Sequence, residues 1–363
     1  MKIRYLLLII TFLSSLFSYA QTEEEEEEED YSIYEQFGST GQNKVKRYAS
    51  PKILGISPAK LISVGYDVQG PNQLTADSIG AFQRETTTLR ATHGMRILIN
   101  LPVISYTKLL INVGATYIET NYEASSRQTI SNPYTRSLLT NGLRSMGVNT
   151  TVFKPFSEKS FALGFISADM NGDFRLSQLQ PLSDLKYTWA LMYGRRPHDR
   201  KQYAIGVTQS YRAGEVNLFP VILYNFTSAN RKWGIEAMLP ARLHFRRTIN
   251  ARNLILLGYE LEGQSYRLNN RQGYFPPAAE TRPHYNVNNL ELRRSEIRAR
   301  IIYERGFSDF IWLSAQFGYV INYRNKVDSG DFLRGFFGDQ LYVMENKLTN
   351  PLYFNISLNL VSP

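Results

Sequence analysis

Residues 107–121, TKLLINVGATYIETN, alternate. Leu109, Ile111, Val113, Ala115 and Tyr117 fall on one side of an extended chain, and Lys108, Asn112, Gly114, Thr116 and Thr120 on the other. Leu110 and Ile118 are out of step. A two-residue period is the signature of a strand with one apolar and one polar face. The same alternation runs through Leu185–Tyr193, Tyr203–Tyr211, Ile311–Tyr323, Trp233–Phe245 and Leu352–Leu360. Strands are expected at 59–70, 86–101, 107–120, 141–154, 160–173, 185–195, 202–212, 215–227, 232–247, 252–267, 290–304, 310–325 and 349–361. Helical spacing is not evident beyond the amino terminus.

Many of these segments exceed ten residues, whereas strands of soluble domains centre near ~5–6. A soluble β-sandwich would show shorter strands with turn signals every ~8–12 residues. Long strands with one apolar face, joined by turns of very unequal length, instead predict an all-β fold, a transmembrane antiparallel up-and-down β-barrel. Thirteen segments is an odd number, and single-chain bacterial barrels normally have an even one. Joining 202–212 to 215–227 across Ala213-Gly214 gives twelve strands, the preferred number. Breaking 232–247 at Pro240 gives fourteen, the alternative. With twelve, the long connections 71–85, 121–140, 174–184, 268–289 and 326–348 all fall on the outer side.

The amino terminus changes the picture of where the chain goes. Lys2 and Arg4, an apolar run from Tyr5 to Phe17 and Ser18-Tyr19-Ala20 before Gln21 read as a cleaved secretory signal, residues 1–20. The run is shorter than the ~20 residues of a spanning helix. Residues 21–57 read as an acidic, largely disordered segment and 58–363 as the barrel. The chain has no cysteine, which excludes disulfides, a thiol nucleophile and cysteine metal sites. Formal net charge is +9; without Lys2, Arg4 and the eight carboxylates of Glu23–Asp30, residues 31–363 carry +15. Mean hydropathy is only −0.30, as expected where half of each strand faces water. The 24 Tyr, 20 Phe and 3 Trp suit interfacial girdles.

A signal ending before Gln, a Tyr-rich barrel pattern and the stretch FPVILYNFTSANRKWGIEAMLPARLHFRRTINARNLILLGYELEGQSYRL, residues 219–268, resemble uncharacterised outer-membrane β-barrel proteins of Gram-negative bacteria, a family of unknown function. The resemblance implies an outer-membrane location and a barrel, and carries over no catalytic or binding residue. One departure is the end, Leu360-Val361-Ser362-Pro363, where many such barrels end in an aromatic residue.

With the apolar rows facing lipid, three neighbouring strands turn charge inward. These are Glu236, Arg242, His244 and Arg246 on the first, Glu260, Glu262 and Gln264 on the second, and Arg294, Glu296, Arg298, Arg300 and Glu304 on the third. Opposite charges on neighbouring strands attract, more so where water is scarce. Arg242, His244, Arg246, Glu260, Glu262, Arg294, Glu296, Arg298 and Arg300 therefore form either a salt-bridge ladder that fills the lumen or an Arg-lined constriction for anionic solutes. Arg127, Arg136, Arg144, Arg271, Arg282 and Arg334, in outer loops and strand ends, would attract outer-membrane lipid, lipopolysaccharide included. An enzyme is not expected. His93 falls on a lipid row, His198 in a turn and His284 in a Pro-rich loop; HExxH is absent. A lipid-cleaving barrel would need a Ser-His pair at the membrane rim. No cofactor, metal or nucleic acid is implied. The expected function is a channel or transport-related barrel for small polar or anionic solutes; the alternative is a non-conducting structural or partner-binding barrel.

Overall fold

A computed structural model describes residues 48–125, 130–177, 179–211, 217–278, 285–329 and 342–362. The signal and acidic run, Arg127, Arg282, Arg334, His284 and Ala213-Gly214 lie outside the described residues. These residues form β1 (Ala59–Gln69), β2 (Asn72–Ala76), β3 (Glu85–Tyr106), β4 (Leu109–Ala124), β5 (Leu143–Pro155), β6 (Ser160–Gly172), β7 (Lys186–His198), β8 (Lys201–Ser210), β9 (Asn217–Thr227) and β10 (Trp233–Leu239). They continue with β11 (Arg242–Asn250), β12 (Asn253–Arg267), β13 (Glu291–Gly306), β14 (Ile311–Asp328), β15 (Met344–Glu345), β16 (Lys347–Leu348) and β17 (Leu352–Ser362). One short helix, α1 (Pro133–Asn141), joins β4 to β5.

Setting aside the short β2, β15 and β16, fourteen antiparallel strands follow one another around a ring. The last, β17, pairs with the first, with Val64 opposite Leu358 and Asp67 opposite Asn355. Closure removes the sheet edges, the only way a strand protein satisfies its backbone in hydrocarbon.

The face of each strand that would be core in a soluble protein is outside here. Along β17, Leu352, Phe354, Ile356 and Leu358 are 44–55% exposed, while the alternating Tyr353, Asn355, Ser357 and Asn359 are 1–6% exposed. On β14, Phe317, Tyr319, Ile321 and Tyr323 are exposed and Ser314 and Val320 are buried. Exposed apolar rows all round a closed sheet, with Ser and Asn buried, have one suitable solvent, the acyl chains of a bilayer. Exposed Phe156, Tyr193, Trp233, Phe307 and Phe310 lie at or near the short turns, and of these Tyr193 and Trp233 have the amphipathic rings that suit a membrane surface.

Six short turns share one end of the barrel, from Tyr106–Leu109 to Gly306–Ile311. The five long connections share the other. The strand number is the alternative reached by breaking the chain at Pro240: β10 and β11 are separate strands joined through Pro240-Ala241. Their register explains why the alternation crosses the turn unbroken. Ile235 pairs with Phe245 and Ala237 with Leu243, so odd-numbered residues keep one face through the hairpin. Likewise β8 and β9 are two strands, with Ser210 opposite Asn217, rather than one bulged strand.

The wall is not an even cylinder. β10 has 7 residues and β11 has 9, whereas β12 has 15. The upper end of β12 leaves its neighbour and reaches β6, six strands away around the ring, where Arg267 pairs in parallel with Gly172. The Asp173 amide donates to the Arg267 carbonyl at 3.1 Å. A Cβ on Gly172 would stand 2.6 Å from that carbonyl, so this approach needs glycine.

Ile356→Arg, on the lipid row at mid-strand, is expected to cost about 2–4 kcal/mol at the bilayer centre. The heat-modifiable band of folded protein on gels should weaken or vanish, whereas Ser357→Thr on the inner face should leave it intact.

Candidate functional site

β12 and β13 place the predicted charges because their register sets even-numbered residues of both strands on the lumen side. Glu260 stands opposite Arg298, Glu262 opposite Glu296, Gln264 opposite Arg294 and Gly258 opposite Arg300. Each guanidinium then reaches a carboxylate beside or diagonal to it. On β13, Arg294 Nη2 and Arg298 Nε hold the two oxygens of Glu296 from either side, each at 2.7 Å.

The network does not stay on neighbouring strands. Arg96, on β3, makes a two-point contact with Glu262, at 2.9 Å (Nη1–Oε1) and 2.5 Å (Nη2–Oε2). Its Nε also pairs with Asp67 on β1. β3 and β12 are five strands apart around the ring, so this contact crosses the lumen. Arg298 Nη1 donates to the same Asp67 oxygen at 2.7 Å, and Asn355 holds the other at 2.6 Å. Arg294 donates to the Tyr122 hydroxyl of β4 at 2.8 Å, and Arg298 lies 5.1 Å from the centre of the Tyr353 ring. Three guanidiniums, Arg96, Arg294 and Arg298, thus balance three carboxylates, Asp67, Glu262 and Glu296. At this level β12 and β13 already match Arg294 and Arg298 with Glu262 and Glu296, and Asp67 offsets Arg96, so these six residues leave no Arg excess for an anion-selecting constriction. Asp67 and Arg96 were not singled out from sequence, although both occupy polar positions between apolar ones on their strands.

Nearer the short-turn end a second group forms. Arg300 pairs with Glu260, contacts His244 Nε2 at 3.3 Å and donates to Gln316 at 3.1 Å. Arg242 stands opposite Glu260 in register but is exposed beside the Pro240 turn. A third group is local. Arg246, 1% exposed, donates to Glu236 at 2.7 Å and to Thr248 and Thr227 at 2.8 Å. Gly234 makes room for it, since a Cβ there would stand 2.3 Å from Arg246 Nη2. The nine predicted residues therefore divide among three groups, with Arg242 at the rim. His93 is on the outer face, hydrogen-bonded to Tyr66 at 2.7 Å, on the side of the wall opposite to His244.

Both ends of the lumen are apolar, where the alternation predicts a polar inner face. At the short-turn end Phe153, Phe161, Met192, Val221 and Leu223 pack together inside the wall, with the out-of-step Leu110 against them. Residues 48–58 run across this end before entering β1. Ala49 buries against the cluster and donates its amide to the Ser157 carbonyl at 3.0 Å. The Leu54 amide donates to the Asp199 carbonyl at 2.8 Å, and Ser57 donates to Glu236 through its amide (3.0 Å) and hydroxyl (2.8 Å). At the long-loop end Leu74, Ile79 and Phe275 from the connections pack with Tyr134 and Leu138 of α1 on Leu89, Leu143 and Leu292 of the wall.

The cap at the long-loop end is pinned by two carboxylates. Glu85 accepts from the Asn132 amide (2.8 Å) and from Ser131 through its amide (3.0 Å) and hydroxyl (2.8 Å), immediately before α1. Burial pushes the Glu85 carboxyl up, but these donors together outweigh it and hold it below the usual carboxylate range. Asp173 accepts from the Asn269 amide and side chain at 2.8 Å each, and from Ser137 at 3.2 Å. Here burial outweighs the donors and raises the carboxyl. Of the outer arginines, Arg136 stacks on Tyr274 at 4.4 Å from the ring centre.

No family model and no curated protein matches the chain. Among solved structures it is similar to an outer-membrane channel of Pseudomonas putida F1, with 9% identity over 89% of this chain and 100% of that one and a TM-score of 0.33. The P. putida toluene transporter TodX follows at 9% identity, 85% and 92% coverage and a TM-score of 0.34. The NanC porin stands at 8% identity, 82% and 100% coverage and 0.31. Likenesses this faint carry no weight for the function of this chain.

Removing one partner from a buried ion pair strands the other, at about 3–5 kcal/mol, whereas replacing a whole pair by apolar groups is often neutral. Arg298→Ala should therefore destabilise the detergent-solubilised barrel far more than Arg96→Met combined with Glu262→Met, read as urea midpoints. The Glu85 contribution has a definite sign. Its folded-state pKa is lowered, so the anchor is fully present above the ordinary carboxylate pKa and is lost as pH falls through the folded value. Protection factors of the α1 amides, corrected for the intrinsic exchange rate, should fall with acid in that window, and Glu85→Gln should flatten the dependence.

Proposed function

We propose that the protein is an outer-membrane barrel of a Gram-negative cell, exported with removal of residues 1–20, with its short turns in the periplasm. We read it as a transport-related barrel for small polar or anionic solutes whose described state is shut. The observation that carries this reading is the charge network crossing the lumen from β3 to β12. An eight-stranded barrel is already just wide enough for its side chains to fill, so a purely structural barrel has no need of fourteen strands. Nor does filling a lumen call for buried ions, since apolar packing of equal volume serves at least as well. Guanidinium forks offer a passing carboxylate or phosphate the same two-point contact that Glu262 makes with Arg96. A solute anion can thus exchange with an internal carboxylate.

A second reading, a non-conducting structural or partner-binding barrel, is favoured by the apolar packing at both ends of the lumen. Conductance separates the two. In planar bilayers the wild type should be mostly closed with rare brief steps. Glu262→Gln with Asp67→Asn should raise open time and lean towards anions, and Arg96→Gln with Arg298→Gln should lean towards cations. Silence from both double variants, each folded by its gel shift, would contradict transport and favour the second reading.

A further inference from the structure

The outer wall carries a hollow where a barrel should be convex. It has a volume of about 390 Å³ and lies over four strands, with Ile97 and Ile99 (β3), Ala115 and Tyr117 (β4), Met146 and Val148 (β5) and Ala168 and Met170 (β6) in its lining, together with Leu185 just before β7. These are outward residues by register: Ile97 pairs with exposed Val64, and Ala115 with Val148, 61% exposed. Two features of the chain accompany the depression. β6 reaches towards β12 at Gly172 just above it, and Ala115 and Ala168 flank Val148 with methyl groups on adjoining strands.

Directly towards the long-loop end, and sharing Tyr117, lies a second recess of about 550 Å³. Its lining turns polar: Glu119, Asn121, Arg144 and the exposed Arg175. Arg144 continues the row of Met146 and Val148, so hydrocarbon gives way to the headgroup layer between Met146 and Arg144. Its guanidinium is held in place by the carbonyls of Asn141 (2.7 Å) and Phe174 (2.9 Å) and by Glu119 (2.9 Å). Counting Arg144, Arg175 and Glu119, the recess is net positive.

We infer that these two recesses form one seat for an anionic phospholipid of the outer leaflet, its acyl chain along Ala115, Val148 and Ala168 and its anionic headgroup at Arg144 and Arg175. This rests on the membrane reading of the barrel. An apolar concavity at this depth has hydrocarbon chains as its solvent, and a cationic recess at its upper end selects an anionic headgroup.

The test uses the full chain purified in mild detergent and exchanged with vesicles of phosphatidylglycerol diluted in phosphatidylcholine, with retained lipid counted by native mass spectrometry. Wild type should retain one phosphatidylglycerol. Ala115→Trp with Ala168→Trp should abolish retention by filling the hollow, while Val207→Trp, on a lipid row elsewhere, should leave it unchanged. Arg144→Gln with Arg175→Gln should lower the preference for phosphatidylglycerol roughly tenfold, the worth of one charged hydrogen bond. Equal retention in wild type and both double variants would overturn the seat. Retention lost in the tryptophan variant but equal for phosphatidylglycerol and phosphatidylcholine would overturn the selection for an anionic headgroup. The gel shift on heating, run on every variant, reports separately on the barrel, so failure of the membrane reading is distinguishable from failure of the seat.

Discussion

Hydrocarbon does not hydrogen-bond, and this one constraint governs the molecule. Every amide in the wall must find a partner in the wall, which forces the sheet to close on itself through β1 and β17. Once closed, it has two environments and two residue sets. Leu, Ile and aromatic side chains are left outside, and Ser, Asn, Arg and Glu are gathered inside, where each polar group must find another. The ion-pair network is a consequence of that sorting. Charges excluded from the outer face by lipid were free to persist on the inner one.

What distinguishes this barrel is how its interior is divided. The middle is ionic and electrically balanced, and both ends are oily. Three layers thus stand in series along the lumen, two packed and one charged. They differ in kind. Apolar packing is cheap to keep and non-directional, while the ionic layer is directional and can exchange partners without leaving a charge unpaired. Residues 48–58 combine both kinds, held by the burial of Ala49 and Ile53, by backbone hydrogen bonds to the turns and by Ser57 on the Glu236 carboxylate. The crossing of β12 to β6 shapes both sides of the wall, bringing the top of the lumen together and leaving the concavity outside.

The fold was legible because lipid demands an apolar residue at every second position, so the rows of β4, β7, β14 and β17 could be read directly. The strand number was less so. A tight hairpin that preserves face parity, as at Pro240, leaves no mark in an alternating pattern, and the proline itself was the one clue. α1 was passed over because one short amphipathic turn gives little periodicity, although Asn132-Pro133 is a capping pair: Asn132 accepts from the Tyr134 amide at 3.1 Å. The charges of β11, β12 and β13 could be grouped from sequence because those strands are consecutive. Asp67 and Arg96 could not be joined to them, since nothing in a chain reports which strands face one another across a lumen. Leu110, out of step in the alternation, has a physical reason: an apolar residue on the wet row marks the place where the inner face turns oily.

The three tryptophans divide the two faces and offer the most direct test. Trp189 and Trp233 are on the outer wall, 38% and 55% exposed, whereas Trp312 is 5% exposed inside, packed with Leu254, Leu256 and Ile302. Single-tryptophan proteins reconstituted in lipid with brominated acyl chains should show strong quenching for Trp189 and little for Trp312. Equal quenching at both sites, or quenching confined to Trp312, would mean that the apolar rows do not face the membrane.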